Sequence, residues 1–312
     1  MKIAIIGTGA MGSIYAARFS KAGHEVVAID IWKDHVDCIN RDGLLIEGPD
    51  GKIIAKNIKA STKILDLKEC DFCIIATKAL SLEESIKNLK EQIDLKVPII
   101  TIQNGLGAGD IVLKHMSKNT IILGVAEGFG ASLIAPGHVI HTANKKIRLG
   151  SISQKPKVRK LENIVSAWRS GGLKTEIYEN IEQLIWEKLL CNVTLSGPCS
   201  IFGCNVKELL NDEENWAFAL NCMQEAYSVG LAKGIPFSFE DPIDYVTDFA
   251  KRVGSAKPSM LQDFETKKKT EIDFINGAIP PLAAKSKIPT PFNDHVCRII
   301  HEAERQIKAL WD

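Results

Sequence analysis

Through the first half of the chain, apolar runs of strand length alternate with stretches whose apolar positions recur every three or four residues. The runs are "KIAIIG", "HEVVAID", "DFCIIATK", "PIITIQ" and "TIILGVAE", rich in β-branched residues. Short and nearly continuous runs of this kind predict buried strands. Helical spacing falls between several of them, over 11–22, 33–42, 81–93 and 107–116. Strands joined by helical crossovers predict a parallel sheet covered on both faces. "LLIEGPDGKIIA" departs from this rhythm and reads as an inserted hairpin turning at Pro49-Asp50-Gly51. "GHVIHTANKKIRLGS" reads as a second antiparallel pair, ahead of a helix near 156–170 and a last strand at "TEIYE".

After about residue 180 the pattern becomes helical throughout, over 181–196, 206–211, 213–234, 241–254, 259–286 and 292–310. The expected architecture is therefore α/β, with a sheet domain over 1–179, a helical domain over 180–312 and a cleft between them. A length of 312 residues suits two domains. Apolar residues at 45% and charged residues at 25% are those of an ordinary soluble globular protein. A net charge of +1 gives neither nucleic acid nor an anionic membrane a reason to bind. No apolar run approaches the roughly 18 residues of a membrane span, and "IAII" is too short for a signal peptide. Eight scattered cysteines read as the reduced thiols of a cytoplasmic protein. Cys70 and Cys73 form one C-x-x-C with no second pair, and Cys73 falls inside a strand pattern, so no metal is expected.

The candidate chemistry begins at Gly7-Thr8-Gly9-Ala10-Met11-Gly12, a G-x-G-x-x-G between a strand and a helix. In a Rossmann-type turn the first glycine allows the tight bend and the second lets backbone approach a diphosphate. The third lets helix pack on strand. Asp30 ends the second strand, where a carboxylate accepts hydrogen bonds from ribose hydroxyls and repels a 2′-phosphate. That favours NAD(H). Lys33 lies three residues on and either offsets the repulsion or is simply solvated.

Lys78 and Asn104 sit at the carboxyl ends of strands, the edge where open α/β sheets bind ligands. Each also reads as an ordinary strand-end charge or turn. In "IEQLIWEKLLCNVTLS", Lys188, Asn192 and Ser196 share one helix face. A lysine there is either a surface charge or the cation that protonates an alkoxide formed when hydride attacks a ketone. A neighbouring carboxylate such as Glu271 would hold it charged. Ser259, after Pro258, suits a helix start and either caps it or holds a substrate carboxylate. Spacing places Ser259, Gln262, Asp263, Glu271 and Asn276 on one long helix. The histidines have no metal spacing and receive no role.

The chain resembles the ketopantoate reductase family over essentially its whole length. The resemblance rests on "GTGAMG", "TKA" at 77–79, "QNGLG" at 103–107, "PGHVIH" at 136–141, "WEKLLCN" at 186–192 and "SMLQDFETKKKTEIDFING" at 259–277. It implies reduction of the 2-oxo group of 2-dehydropantoate to pantoate, in pantothenate and coenzyme A biosynthesis. NADP(H) is the cofactor by resemblance, against NAD(H) by the Asp30 argument. The resemblance further implies Lys188 as proton donor with Glu271 beside it. Asn104, Lys188, Asn192, Ser196 and Ser259 become substrate contacts. The turn residues Gly7, Thr8, Gly9, Ala10, Met11 and Gly12 become cofactor contacts, with Asp30, Lys78, Asn104, Ala131 and Glu271. A homodimer is one allowed assembly. Two departures stand out: Ser196-Gly197 where the family has Asn-Pro, and Val206 where it has a substrate-binding Asn. The alternatives are a reductase of another 2-oxo acid in the wider hydroxyacid dehydrogenase group, or a dinucleotide sensor without catalysis.

Overall fold

The computed structural model describes residues 1–49, 51–117, 119–152 and 158–309. Two compact units divide the chain, one of Met1–Gln103 with Ala108–Ile181, the other of Asn104–Gly107 with Glu182–Asp312. The short excursion at 104–107 thus belongs with the helices, although the residues on either side of it belong with the sheet.

In the first unit, β1 (Lys2–Ile6), β2 (Glu25–Ile29), β5 (Ile58–Ser61), β6 (Phe72–Ile75), β7 (Ile99–Thr101) and the start of β8 (Ile121–Ala135) run parallel. β9 (His138–Ser151) returns antiparallel to β8. β3 (Leu44–Gly48), β4 (Gly51–Ala55) and β10 (Thr175–Ile177) complete the sheet. The strand order is β4-β3-β9-β8-β7-β6-β1-β2-β5, with β10 beside β9. The connecting helices are α1 (Ala10–Lys21), α2 (Lys33–Asp42), α3 (Leu82–Leu89), α4 (Ala108–Met116) and α5 (Val158–Ser170).

Successive side chains of a strand point to opposite faces, and both faces here are covered. Ile3, Ile5, Ile74 and Ile100 pack with Ile14, Tyr15 and Phe19 of α1 and Ile164 and Trp168 of α5. Ala4, Ile6, Cys73, Ile75 and Ile99 pack with Leu82 and Ile86 of α3 and Val112 of α4. This accounts for the unbroken apolar runs. Trp168 meets Tyr15 and Phe19 edge-on at 4.9 and 5.2 Å; truncating such a buried tryptophan to alanine costs about 3–5 kcal/mol. Cys73 lies inside β6, and burial pushes its thiol far above the ordinary range. All eight cysteines are free thiols.

Two strand expectations need correction. The stretch at 138–151 is one strand, and its antiparallel partner is the 15-residue β8. Gly124 and Gly130 interrupt the sequence pattern there. A Cβ at Gly124 would make a tight contact of 3.1 Å with Ile102 Cδ1, and one at Gly130 would lie 2.2 Å from Thr142 Oγ1, so that the threonine would have to move. β5 was not anticipated: only Ile58 and Ala60 of its four residues are buried, a half-buried edge strand with too weak a signal. Asp50 at the hairpin turn and the start of the helix expected from 156 lie outside the described residues.

The second unit comprises α6 (Ile181–Phe202), α7 (Val206–Asn211), α8 (Glu213–Ala232), α9 (Pro242–Val253), α10 (Ser259–Glu265), α11 (Ile279–Ser286) and α12 (Pro291–Ala309). α6 runs through its core: Leu189, Leu190 and Val193 pack with Met223 and Ala226 of α8, Ile279 of α11 and Val296 of α12. It continues through Pro198, beyond the expected end at 196. A helix packed this deeply tolerates the backbone bond that proline removes.

The long helix expected over 259–286 is not formed. α10 stops in a Schellman motif, with Lys267 in the left-handed region at φ +55°. Lys268 N–H donates to Asp263 O at 2.8 Å and Lys267 N–H to Phe264 O at 3.1 Å. Thr270 then ties the chain to α12, its N–H and hydroxyl both donating to Glu304 Oε1 at 2.8 Å. Two 3₁₀ turns, Ile272–Phe274 and Asn276–Ala278, lead into α11. Glu271 and Asn276 are therefore not on the helix of Ser259.

Candidate active site

The β1–α1 turn uses its glycines for three different reasons. Gly7 has φ +89°, and a Cβ there would lie 2.6 Å from Thr77 N. A Cβ on Gly12 would lie 1.9 Å from Gly7 O, so helix and turn touch only because the side chain is absent. Around Gly9, by contrast, no heavy atom comes within 4 Å of a built Cβ, which leaves the backbone open to approach. Thr8 is fully buried, while Ala10 and Met11 are half-buried on the first turn of α1.

Asp30 is half-buried and tied to this turn. Its Oδ2 accepts from Thr8 N at 2.8 Å, and its Oδ1 accepts from Trp32 N at 3.0 Å. A carboxylate offers about four acceptor positions, so capacity remains for a ligand hydroxyl. Lys33 pairs with Asp37 one turn along α2 and is largely exposed.

Lys78 is exposed just after β6, ahead of a 3₁₀ turn at Ala79–Ser81. Ala131 is half-buried in β8 beside a register shift opposite β9. Two neighbours carried no role in the sequence reading. Gln103 donates from Nε2 to Ile75 O at 2.9 Å and Thr77 O at 3.0 Å, clamping the ends of β6 and β7 together. Thr77 Oγ1 is buried with no hydrogen-bond partner among the described residues. "TKA" and "QNGLG" contain both residues, but spacing does not say which side chain turns inward.

In the helical unit Lys188 and Asn104 are brought together: Lys188 Nζ donates to Asn104 Oδ1 at 2.8 Å. They lie 84 positions apart in sequence and both are half-buried. A hydrogen bond to a charged group contributes about 1.5–3 kcal/mol. With its oxygen engaged, Asn104 keeps its Nδ2 donors for another partner. The Asn104–Gly107 loop is seated by its backbone. Gly105 has φ +83°, and a Cβ there would lie 2.0 Å from Phe274 O. Leu106 N–H donates to that same carbonyl at 2.8 Å. The loop therefore docks on the turn that begins at Glu271, whose own carbonyl accepts from Phe274 N at 3.0 Å.

Asn192 is half-buried one turn beyond Lys188, and Ser196 is buried a turn further. Glu271 is half-buried, and Ser259 is exposed at the first position of α10. Val206 is fully buried in α7. Asn205 is committed to a capping box, accepting from Glu208 N at 3.1 Å while its own N–H donates to Glu208 Oε2 at 2.8 Å. Among the described residues, no three His, Cys, Asp or Glu side chains gather as a metal site would require, and no helix is long and apolar enough to cross a membrane.

A Rossmann-type glycine turn in one unit, and in the other a core-helix lysine bonded to a loop asparagine, define a class, the two-unit oxidoreductases. Within it, the chain belongs to the ketopantoate reductase family. The profile of ketopantoate reductase PanE/ApbA matches residues 3–154, and that of the PanE/ApbA C terminal matches residues 180–304. The 2-dehydropantoate 2-reductase of Pyrococcus abyssi is 30% identical over 294 residues, covering 94% of each chain. That of Lactococcus lactis subsp. lactis is 29% identical over 315 residues, covering 99% of this chain and 100% of the other. Among solved structures, D-mandelate dehydrogenase with NADH and anilino(oxo)acetate is similar, with a TM-score of 0.89 at 28% identity over 99% of both chains. A PanE/ApbA family ketopantoate reductase from Ralstonia eutropha JMP134 shares the fold, with a TM-score of 0.90 at 23% identity over 99% of this chain and 100% of the other.

Proposed function

We propose that the chain is an NAD(P)H-dependent reductase of a 2-oxo acid, with 2-dehydropantoate the substrate that family membership favours. The observation that carries this reading is the 2.8 Å hydrogen bond from Lys188 Nζ to Asn104 Oδ1. That bond sets the Lys188 ammonium group beside the loop amide that the resemblance makes a substrate contact.

The glycine turn fits a dinucleotide. The approach at Gly9 is open, α1 begins with no side chain capping its first N–H groups, and Thr77 supplies an unsatisfied hydroxyl beside Gly7. Bound there, a reduced nicotinamide supplies hydride to a carbonyl carbon. Gly7 to Gly12 would hold the diphosphate, and Asp30 would accept from a ribose hydroxyl. Lys78, Asn104, Ala131 and Glu271 would serve the nicotinamide end. Lys188 gives a proton from Nζ to the forming alkoxide and is recharged from solvent, with Glu271 favouring its charged form. Asn104, Asn192, Ser196 and Ser259 orient the substrate, Ser259 toward its carboxylate.

Asp30 favours NADH, since a carboxylate at the end of β2 repels a 2′-phosphate while Lys33 pairs with Asp37. A second reading keeps the reaction but changes the acid. With Val206 buried and Asn205 used as a cap, the helical unit lacks one amide ligand that the resemblance leads one to expect. The similar D-mandelate dehydrogenase was solved with an aryl-amino oxoacetate. Steady-state rates with ketopantoate and an aryl 2-oxo acid, each with NADH and NADPH, test both readings. Turnover with NADH preferred is expected, and the better acid decides the substrate. Dinucleotide binding with no oxidation on any 2-oxo acid would overturn the reductase in favour of a sensor.

A further inference from the structure

His35 has no place in the chemistry above, yet it is fully buried on α2 between two parts of the sheet unit. Its Nδ1 accepts from Gly137 N at 2.9 Å, at the turn between β8 and β9. Its Nε2 lies 3.3 Å from Ser13 Oγ, that hydroxyl donates to Thr8 O at 2.6 Å, and the ring also interacts directly with the Thr8 backbone. The roles are forced. A backbone N–H can only donate, so Nδ1 carries no proton; Ser13 spends its one proton on Thr8, so Nε2–H must be the donor. Burial pushes the imidazole below its ordinary pKa, in keeping with this neutral form. Trp32 stacks on the ring at 5.5 Å with 10° between the planes. The turn at Gly137 is itself anchored, its carbonyl accepting from Leu45 N at 2.8 Å. Thr8 is thus held from two sides, its N–H by Asp30 and its carbonyl through Ser13.

We propose that His35 is a positioning residue for the dinucleotide turn, transmitting the rigidity of the β8–β9 turn through Ser13 to the backbone between Gly7 and Gly9. This rests on the reading that Gly7 to Gly12 bind a dinucleotide. His35 touches neither the dinucleotide nor the substrate; it acts by fixing the backbone that does, so binding should respond and the chemical step should not.

The test is NADH titration by fluorescence, with amide exchange at residues 8–13 in the dinucleotide-free protein as a second readout. His35→Phe keeps the ring and removes both nitrogens, and Ser13→Ala deletes the middle link with little risk to folding. Each is expected to weaken NADH binding about tenfold, the size of one lost buried hydrogen bond, to speed exchange at 8–13, and to leave kcat within about twofold at saturating NADH. The losses in the double variant should fall short of additive, because Ser13 and the direct ring contact converge on the same Thr8 backbone. His35→Gln, which can return an N–H to Ser13, should recover most of the affinity. Failure of the unaltered protein to bind either NADH or NADPH overturns the dinucleotide reading and this inference with it. Normal binding and exchange in both variants, additive losses, or a lowered Tm with unchanged affinity overturns this inference alone.

Discussion

On the proposed function the two units would prepare ligand contacts in opposite ways. The sheet unit offers backbone: at the glycine turn the groups that matter are N–H groups, and side chains are either absent, as at Gly9, or turned inward to brace the loop, as Thr8 and Ser13 are. The helical unit offers side chains, with Lys188 and Asn192 projecting from a core helix and Asn104 delivered by a loop seated on the 271–275 turn. Backbone contacts suit a ligand part that is always the same, such as a diphosphate. Side-chain contacts can be exchanged one at a time, which suits a substrate that differs among relatives. The difference teaches that substitutions in the two units should fail differently, and the expected effects can be ranked.

The largest effect is expected at Lys188. Lys188→Ala removes the proposed proton donor and should lower kcat by about 10²–10⁴, the usual worth of general acid catalysis; near-normal turnover in steady-state assay would remove the residue from the proposed mechanism. Gly12→Ala comes next. Its Cβ would press on Gly7 O at 1.9 Å, an overpacking that costs about 1–3 kcal/mol, so both Tm and NADH affinity should fall. Asn104→Ala should be milder, about tenfold in kcat for one lost hydrogen bond, with the protein still folded by circular dichroism.

The smallest effect is on acid stability, and it belongs to neither site. Glu83 on α3 accepts from His115 at 2.9 Å and Lys114 at 3.3 Å. These partners, His115 first, bring its carboxyl down to about 2. A lowered carboxylate pKa contributes stability above the ordinary value of about 4.5, and loses it as pH falls toward 2. Glu83→Gln should therefore flatten the Tm profile across that interval, with a small loss of Tm at pH 7 that disappears as pH falls toward 2.

The same contrast governs how much could be read without a structure. The parallel sheet was legible because strands buried on both faces must be apolar throughout, and the glycine turn because its glycines answer steric demands that no other residue meets. β5 was not, since an edge strand with two buried residues leaves little pattern. The break after Glu265 was hidden because Lys267 occupies a left-handed position where glycine is the usual marker. Lys188 has two readings in the sequence because its hydrogen-bond partner Asn104 lies 84 positions earlier. His35, Ser13 and Thr77 stayed silent because hydrogen bonds between distant elements leave no periodicity.

The division of labour between the units is tested most directly by one NADH titration of unaltered protein, Lys188→Ala and Gly12→Ala side by side. The account predicts that Lys188→Ala binds NADH within about twofold of the unaltered protein, since its ammonium acts in the transition state. Gly12→Ala should bind it far more weakly. Equal loss of affinity in both variants, or full affinity in Gly12→Ala, would contradict it.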